Sequence, residues 1–136
     1  MILPLLDMIC GDVYKLALAA LGEATDGQYS DDYTARAVYL LPMVFSSMKE
    51  MDILFRCKRA LPAQGEIAFD RIGLSDDFPL CDEFAAAAGY YLASLLIFDG
   101  DAARSDELFE KYDKTSRGVM NTLSFSSGST VNKYPY

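Results

Sequence analysis

The acidic pairs Asp31/Asp32, Asp76/Asp77, Asp82/Glu83 and Asp106/Glu107 have the type and spacing for chemistry. Two adjacent carboxylates can hold a divalent cation or share one proton. Three of the pairs fall where the surrounding pattern starts a helix. There a carboxylate accepts the free first-turn N–H groups and suits the positive end of the helix dipole. Capping accounts for them without a ligand. The segment Asp99 to Glu110 (DGDAARSDELFE) puts Asp, Asp and Glu at the first, third and twelfth positions of a calcium loop. The loop fails at its sixth position, where Arg104 replaces the glycine that the sharp turn needs, and at its fifth, where Ala103 offers no ligand.

Nucleophilic chemistry is poorly served. The chain has no His, which removes the commonest general base, the commonest metal ligand and every Ser-His or Cys-His pairing. Cys10, Cys57 and Cys81 lie far apart with no C-x-x-C spacing. Such an odd set suits free thiols in a reducing compartment better than a disulfide framework. No G-x-G-x-x-G, Walker or G-x-S-x-G pattern is present. The expectation is a non-enzymatic protein with no catalytic residue, no cofactor and no metal.

Two stretches offer contact rather than catalysis. In an acidic chain, Arg56, Lys58 and Arg59, with Arg71 nearby, bracket the Phe55 to Phe69 region. A solvated face explains such charges, and a contact surface would use the same Arg and Phe side chains as anchors for an acidic partner, including another copy. Near the end of the sequence, Val131, Tyr134 and Tyr136 around Pro135 suit an extended segment laid against a partner. The candidate interface is therefore Phe55, Arg56, Lys58, Arg59, Phe69, Arg71, Val131, Tyr134 and Tyr136.

The elements that must position these residues read as helices. At 136 residues the chain is one domain's worth, and 51% hydrophobic with 24% charged residues is an ordinary globular mix. Leu5, Met8, Ile9, Val13, Leu16, Ala17, Ala20 and Leu21 recur at three- and four-residue steps, which predicts a helix from about Leu5 to Leu21 ended by Gly22. The start is apolar enough for a secretion signal, but it lacks a basic flank and Asp7, Asp12 and Lys15 interrupt it, so the helix is expected to stay. A second stripe, Tyr33, Ala37, Leu40, Leu41, Val44, Phe45, Met48 and Met51, predicts a helix over about Asp32 to Phe55, kinked at Pro42; the alternative is two short helices breaking at Leu41.

After Arg56 the helical period fades. Pro62 and Gly65 punctuate the segment, and Glu66 to Ile72 (EIAFDRI) alternates, which favours an extended arm or a short β-hairpin between helices two and three. Phe84 to Phe98 (FAAAAGYYLASLLIF) is apolar nearly all round but falls short of the roughly 20 residues that span a bilayer. It is expected as a central buried helix covering Phe84, Tyr91, Leu92, Leu95, Leu96 and Phe98, with Ala85 to Gly89 as a small-residue face that lets a neighbour approach. A fourth stripe, Leu108, Phe109, Tyr112, Ser116, Val119, Met120 and Leu123, starts between Asp101 and Ser105. The result is a small, mainly all-α four-helix domain over residues 1–123, followed by a flexible Ser/Gly-rich docking tail over 124–136.

Taken together, these elements resemble the head-to-tail adaptor (connector, or head-completion) proteins of tailed bacteriophages. The resemblance rests on DVYKLALAALG (Asp12 to Gly22) followed by DYTARAVYLLPMVFSSMKEMD (Asp32 to Asp52), and on IGLSDDFPLCDEF, AAAAGYYLASLLIFDGD and SDELFEKY between Ile72 and Tyr112. It implies a structural subunit of the virion, made in the bacterial host cytoplasm, that forms a homo-oligomeric ring, roughly twelve-fold, beneath the portal protein. Such a ring extends the DNA channel and presents a surface to the next tail or stopper component. Twelve Lys and Arg against twenty Asp and Glu give a net charge of −8, so DNA would pass without specific binding. No membrane contact is expected. Two other readings compete: a small cytoplasmic helical regulatory or scaffolding protein acting as monomer or dimer, and an enzyme using carboxylates alone.

Overall fold

The computed structural model describes residues 8–22, 30–67 and 72–127. Among the described residues there are four helices, α1 (Cys10–Leu21), α2 (Ser30–Arg59), α3 (Ala85–Leu96) and α4 (Ala102–Ser127), with a 3-10 turn at Asp82–Phe84 leading into α3. Among the described residues there is no strand, only an isolated antiparallel bridge between Ile9 and Asp77. The mainly helical class read from the sequence is the observed one.

The first helix starts at Cys10, later than its apolar stripe suggests. Ile9 is extended (φ −111°, ψ 165°), because the backbone here bonds across to the segment before α3. The Phe78 N–H donates to the Met8 carbonyl (2.9 Å), and the N–H groups of Cys10 and Gly11 donate to the carbonyls of Asp76 (2.8 Å) and Leu74 (2.7 Å). Asp12 then caps the helix start by accepting the Ile9 N–H at 3.0 Å. Gly22 ends α1 in the left-handed region (φ 76°), where its N–H reaches back to the last turn.

Helix α2 passes through Pro42 without breaking into two and runs on to Arg59. Proline removes one backbone bond and crowds the preceding turn. Leu41, Val44, Phe45, Met48 and Phe55, all fully buried, anchor the rod on both sides of that point. The helix closes at Ala60 in the left-handed region (φ 55°), and the Leu61 N–H caps the Arg56 carbonyl at 2.9 Å. Residues 61–67 form an arm without helix or strand. Of the segment expected as an extended arm or short hairpin, Glu66 to Ile72, residues 68–71, with Phe69 and Arg71, lie outside the described residues, and Glu66, Ile67 and Ile72 are in neither helix nor strand.

Helix α3 is the centre, packed against α1, α2 and α4. Its small face does what small residues permit. A Cβ added at Gly89 would sit 2.8 Å from the Cβ of Leu16, so α1 and α3 touch nearly backbone to backbone there. Phe45, Phe55 and Phe84 are the largest fully buried side chains, worth about 1.5–3 kcal/mol each. Phe55 meets Phe84 and Phe45 meets Phe78 edge to face, at 5.3 and 5.6 Å between ring centres. Three residues of the expected apolar stripes are out of place: Leu16 and Phe109 are exposed, and Phe98 is 62% exposed because α3 ends at Leu96 and residues 97–100 turn.

The turn into α4 is fixed by Asp101, whose Oδ1 accepts the Arg104 N–H (3.0 Å), and by Ser105, whose hydroxyl donates to the Ser94 carbonyl (2.8 Å). The acidic residues of the D-G-D turn thus include a helix cap. Helix α4 continues past Leu123 to Ser127, so the first residues assigned to the tail are helical, and residues 128–136 lie outside the described residues. Helices α2 and α4 run parallel. Ser47 bonds the Tyr91 hydroxyl (3.1 Å), Tyr91 meets Phe109 edge to face and Tyr112 at a tilt, and farther along Arg59 donates to Thr122 (2.8 Å). Among the described residues no helix is long and apolar enough to cross a membrane.

Candidate functional site

Among the described residues, the C-terminal half of α2 and the arm after it hold a dense polar arrangement. Its centre is Asp52, a carboxylate with no exposed surface. Asp52 lies on the buried stripe, four residues after Met48 and three before Phe55, so helical spacing carries it inward. Its Oδ2 accepts the Arg56 Nε–H (2.7 Å) and the Gln64 amide (2.7 Å), and its Oδ1 accepts the Cys81 backbone N–H (2.8 Å). Arg56 also donates to the carbonyls of Pro62 (3.1 Å) and Pro79 (3.4 Å), and Gln64 to that of Lys49 (3.3 Å). One buried ion pair therefore ties together α2, the arm and the approach to α3. A charge removed from water needs such partners at every lone pair.

Beside this knot lies a groove of about 790 Å³ between the arm and α2, lined by Ile53, Arg56, Cys57, Leu61, Gln64 and Ile67 among others. Ile53 and Leu61 are exposed within it. Cys57 is free and exposed, while Cys10 and Cys81 are buried. Burial, reinforced by Asp76 and Asp77, pushes the Cys10 thiol up to about 12. Burial, then Asp52, pushes Cys81 up to about 11. Both are held as neutral thiols, a poor state for a nucleophile. Burial, with Tyr91 and Asp113 adding to it, also raises Tyr112.

The candidate interface residues separate into distinct groups. Phe55 is fully buried against Phe84, with the Arg59 guanidinium 5.1 Å above its ring. It is a core residue, and its helical stripe, shared with Met48 and Asp52, is what points it inward. Arg56 is committed to Asp52, Pro62 and Pro79, so it organises the chain internally. Lys58 and Arg59 are exposed, and Arg59 also touches Thr122 of α4. Phe69, Arg71, Val131, Tyr134 and Tyr136 lie outside the described residues. Asp52, Gln64, Ile53 and Leu61 belong to this site but not to the interface expected from the sequence. For Asp52 the signal was there, a carboxylate in register with an apolar stripe.

A second surface feature is the outward face of α2. Tyr39 (84% exposed), Met43, Ile53 and Leu54 project from it, although the opposite side of the same helix is core. Among the described residues no group of three or more Cys, Asp or Glu is placed to hold a metal ion. No protein-family model, curated protein or solved structure matches the chain.

Proposed function

We propose that the protein is a structural subunit of a bacteriophage virion, assembling into a ring beneath the portal that joins capsid to tail and extends the DNA channel. The observation that carries this reading is α2, a helix with apolar side chains on both of its sides. The inner stripe is buried in the domain and the outer one, with Tyr39, Met43, Ile53 and Leu54, faces solvent in the single chain. An apolar face of this kind is covered when subunits assemble. The acidic composition supports the channel, since a wall of net negative charge repels the phosphate backbone and lets DNA slide. In this reading the protein performs no catalysis, its partners are other copies, the portal and the next tail component, and it resides at the head-tail junction of the virion.

A dimeric regulatory or scaffolding bundle is the second reading. One feature favours it: α2 carries Asp32 in its opening turn and Lys58 and Arg59 in its last, so two antiparallel copies of α2 would pair opposite charges. The deciding experiment mixes the purified chain with portal assemblies from the same genome, followed by negative-stain electron microscopy. A ring capping the portal, lost when Tyr39 and Met43 are both changed to Ser, supports the subunit. A defined two-fold dimer that never decorates the portal, at any salt concentration, sinks it.

A further inference from the structure

Helix α3 runs antiparallel to α2, and three contacts mark its course. Phe84 packs on Phe55, Tyr91 bonds Ser47, and Asp99, just past the end of α3, lies 3.6 Å from Arg36. The turn at 97–101 therefore sits near the start of α2, while the groove lined by Lys49, Ile53 and Cys57 sits toward its end. From Arg36 to Ile53 a helix rises about 25 Å. A tight turn fixed between two packed helices does not cover that distance. What the turn presents, it presents to another molecule.

The two ends are complementary in shape and charge. At the turn, Phe98 is among the most exposed large apolar side chains, and it stands beside two exposed carboxylates, Asp99 and Asp101. The backbone holds this knob in place. The N–H groups of Gly100 and Asp101 both donate to the Ile97 carbonyl, at 3.0 and 2.9 Å, and the Asp101 carboxylate caps α4. The groove has the opposite character: Ile53, Leu61 and Ile67 are its apolar lining, and two cations, Lys49 and Arg56, outnumber the one carboxylate, Glu66. At about 790 Å³ it has room for a phenyl ring and its neighbours. Interfaces concentrate their energy in an aromatic anchor of this kind, and opposite charges around it fix the register.

We infer that the 97–101 turn of one copy docks into the groove between α2 and residues 61–67 of the next. Phe98 enters the apolar lining, and Asp99 and Asp101 meet Lys49 and Arg56. Donor and acceptor are different surfaces at opposite ends of α2, so the contact is heterologous and either closes into a ring or runs on as a chain. It deepens the ring reading by naming a contact between subunits, and rests on that reading for closure alone.

The test needs no portal, so its failure is distinct from failure of the ring reading. In sedimentation velocity the full chain should gain mass as its concentration rises and lose it as salt is added. Phe98→Ser removes the anchor and Ile53→Asp blocks the groove. Both residues are exposed, so each variant should keep the helical circular dichroism of the parent. Each alone should associate more weakly by roughly tenfold or more. Mixed, the first still offers a groove and the second a turn, so the pair should form a one-to-one dimer that grows no further. Cys57 gives a second readout, because it lines the groove and is exposed while Cys10 and Cys81 are buried. Its reaction with dithiobis-nitrobenzoate should slow as the parent is concentrated, and in the mixture it should slow only on the Phe98→Ser copy. A parent that stays monomeric at millimolar concentration overturns the contact. So does association that neither substitution weakens, or a mixture that does not pair.

Discussion

The link between α2 and α3 is fastened at its two ends by different kinds of bond. Near α1, residues 74–78 are held by backbone: three N–H to carbonyl bonds join Met8, Cys10 and Gly11 to Phe78, Asp76 and Leu74. Near α2, the arm is held by side chains that converge on one carboxylate, Asp52. Backbone bonds are present whatever the side chains, so the first fastening is spread over several residues and survives most substitutions. The second concentrates its energy on one residue, and the loss of that residue leaves the Arg56 charge without its counter-ion, takes one bond from the Gln64 amide and removes the acceptor of the Cys81 N–H together. Among the described residues, the arm that forms the groove wall would then keep only the bonds of Arg56 to Pro62, Gln64 to Lys49 and Leu61 to Arg56.

The largest effect should come from breaking the concentrated fastening. Asp52→Ala is expected to destabilise the fold by about 3–5 kcal/mol, the cost of leaving a partner charge without its mate, read as a lower urea midpoint. The double variant Asp52→Leu, Arg56→Met removes both charges and should recover more than half of that loss. If the single variant costs no more than an exposed ion pair such as Arg117 with Asp113, under about 1 kcal/mol, the contrast between the two ends collapses.

The backbone-held end has one sensitive point. A Cβ at Gly11 would lie 3.0 Å from the Leu74 carbonyl oxygen, the same atom that the Gly11 N–H binds at 2.7 Å. Gly11→Ala must push that carbonyl away, at a cost of about 1–3 kcal/mol. Amide hydrogen exchange should speed up at Cys10, Gly11 and Phe78 while the Cys81 amide, bonded to Asp52, keeps its protection. Equal acceleration at Cys81 would mean that the two ends open as one unit.

A smaller change of opposite sign is available where the arm leaves α2. Ala60 has a positive φ of 55°, which costs an L-residue roughly 1 kcal/mol. Ala60→Gly removes that strain and loses part of the gain to the greater freedom of glycine in the unfolded chain. The expected outcome is a urea midpoint equal to or slightly above that of the parent. A clear drop would show that the Ala60 methyl group packs against something of value.

The helices were legible from sequence because their signals are local. Gly22 stops α1, Pro79 holds Phe78 out of α3, and the period of three to four residues marks each buried stripe. What escaped depended on distant partners. Helix α1 starts late because Met8 and Ile9 pair with residues that follow some 68 positions later (77 − 9 for the bridge), and no local pattern announces that. Asp52 with Arg56 reads as a surface pair at i and i+4. Its register with Met48 and Phe55 turns Asp52 inward, but the partners that satisfy it there, Gln64 and the Cys81 N–H, come from distant positions. Phe55 reads with its basic neighbours as an anchor for a partner, although its register with Leu41, Phe45 and Met48 places it on the inner stripe. The apolar outer face of α2 carried the opposite ambiguity, since a helix apolar on both sides blurs the periodicity that separates core from surface.

The gentlest probe of the comparison is alkaline pH, because each fastening contains one buried thiol. Cys10, beside the backbone bonds, is pushed to about 12 by burial and by Asp76 and Asp77, and Cys81, beside Asp52, to about 11 by burial and Asp52, each from an ordinary value of 9.0. Well below pH 9 both thiols are protonated in folded and unfolded chains alike, and they add no pH dependence. Above it the unfolded chain releases protons that the folded chain retains, so stability declines as pH rises toward the folded values. Tyr112, also raised by burial, pulls in the same direction, which makes the difference between variants the informative quantity. The urea midpoint should fall between pH 9 and 10.5 less steeply in Cys10→Ala than in the parent, with a similar but smaller relief in Cys81→Ala, whose shift is partly offset by Arg56. Parallel pH profiles for parent and Cys10→Ala would mean that the backbone-held end admits water to its thiol, and is the looser of the two.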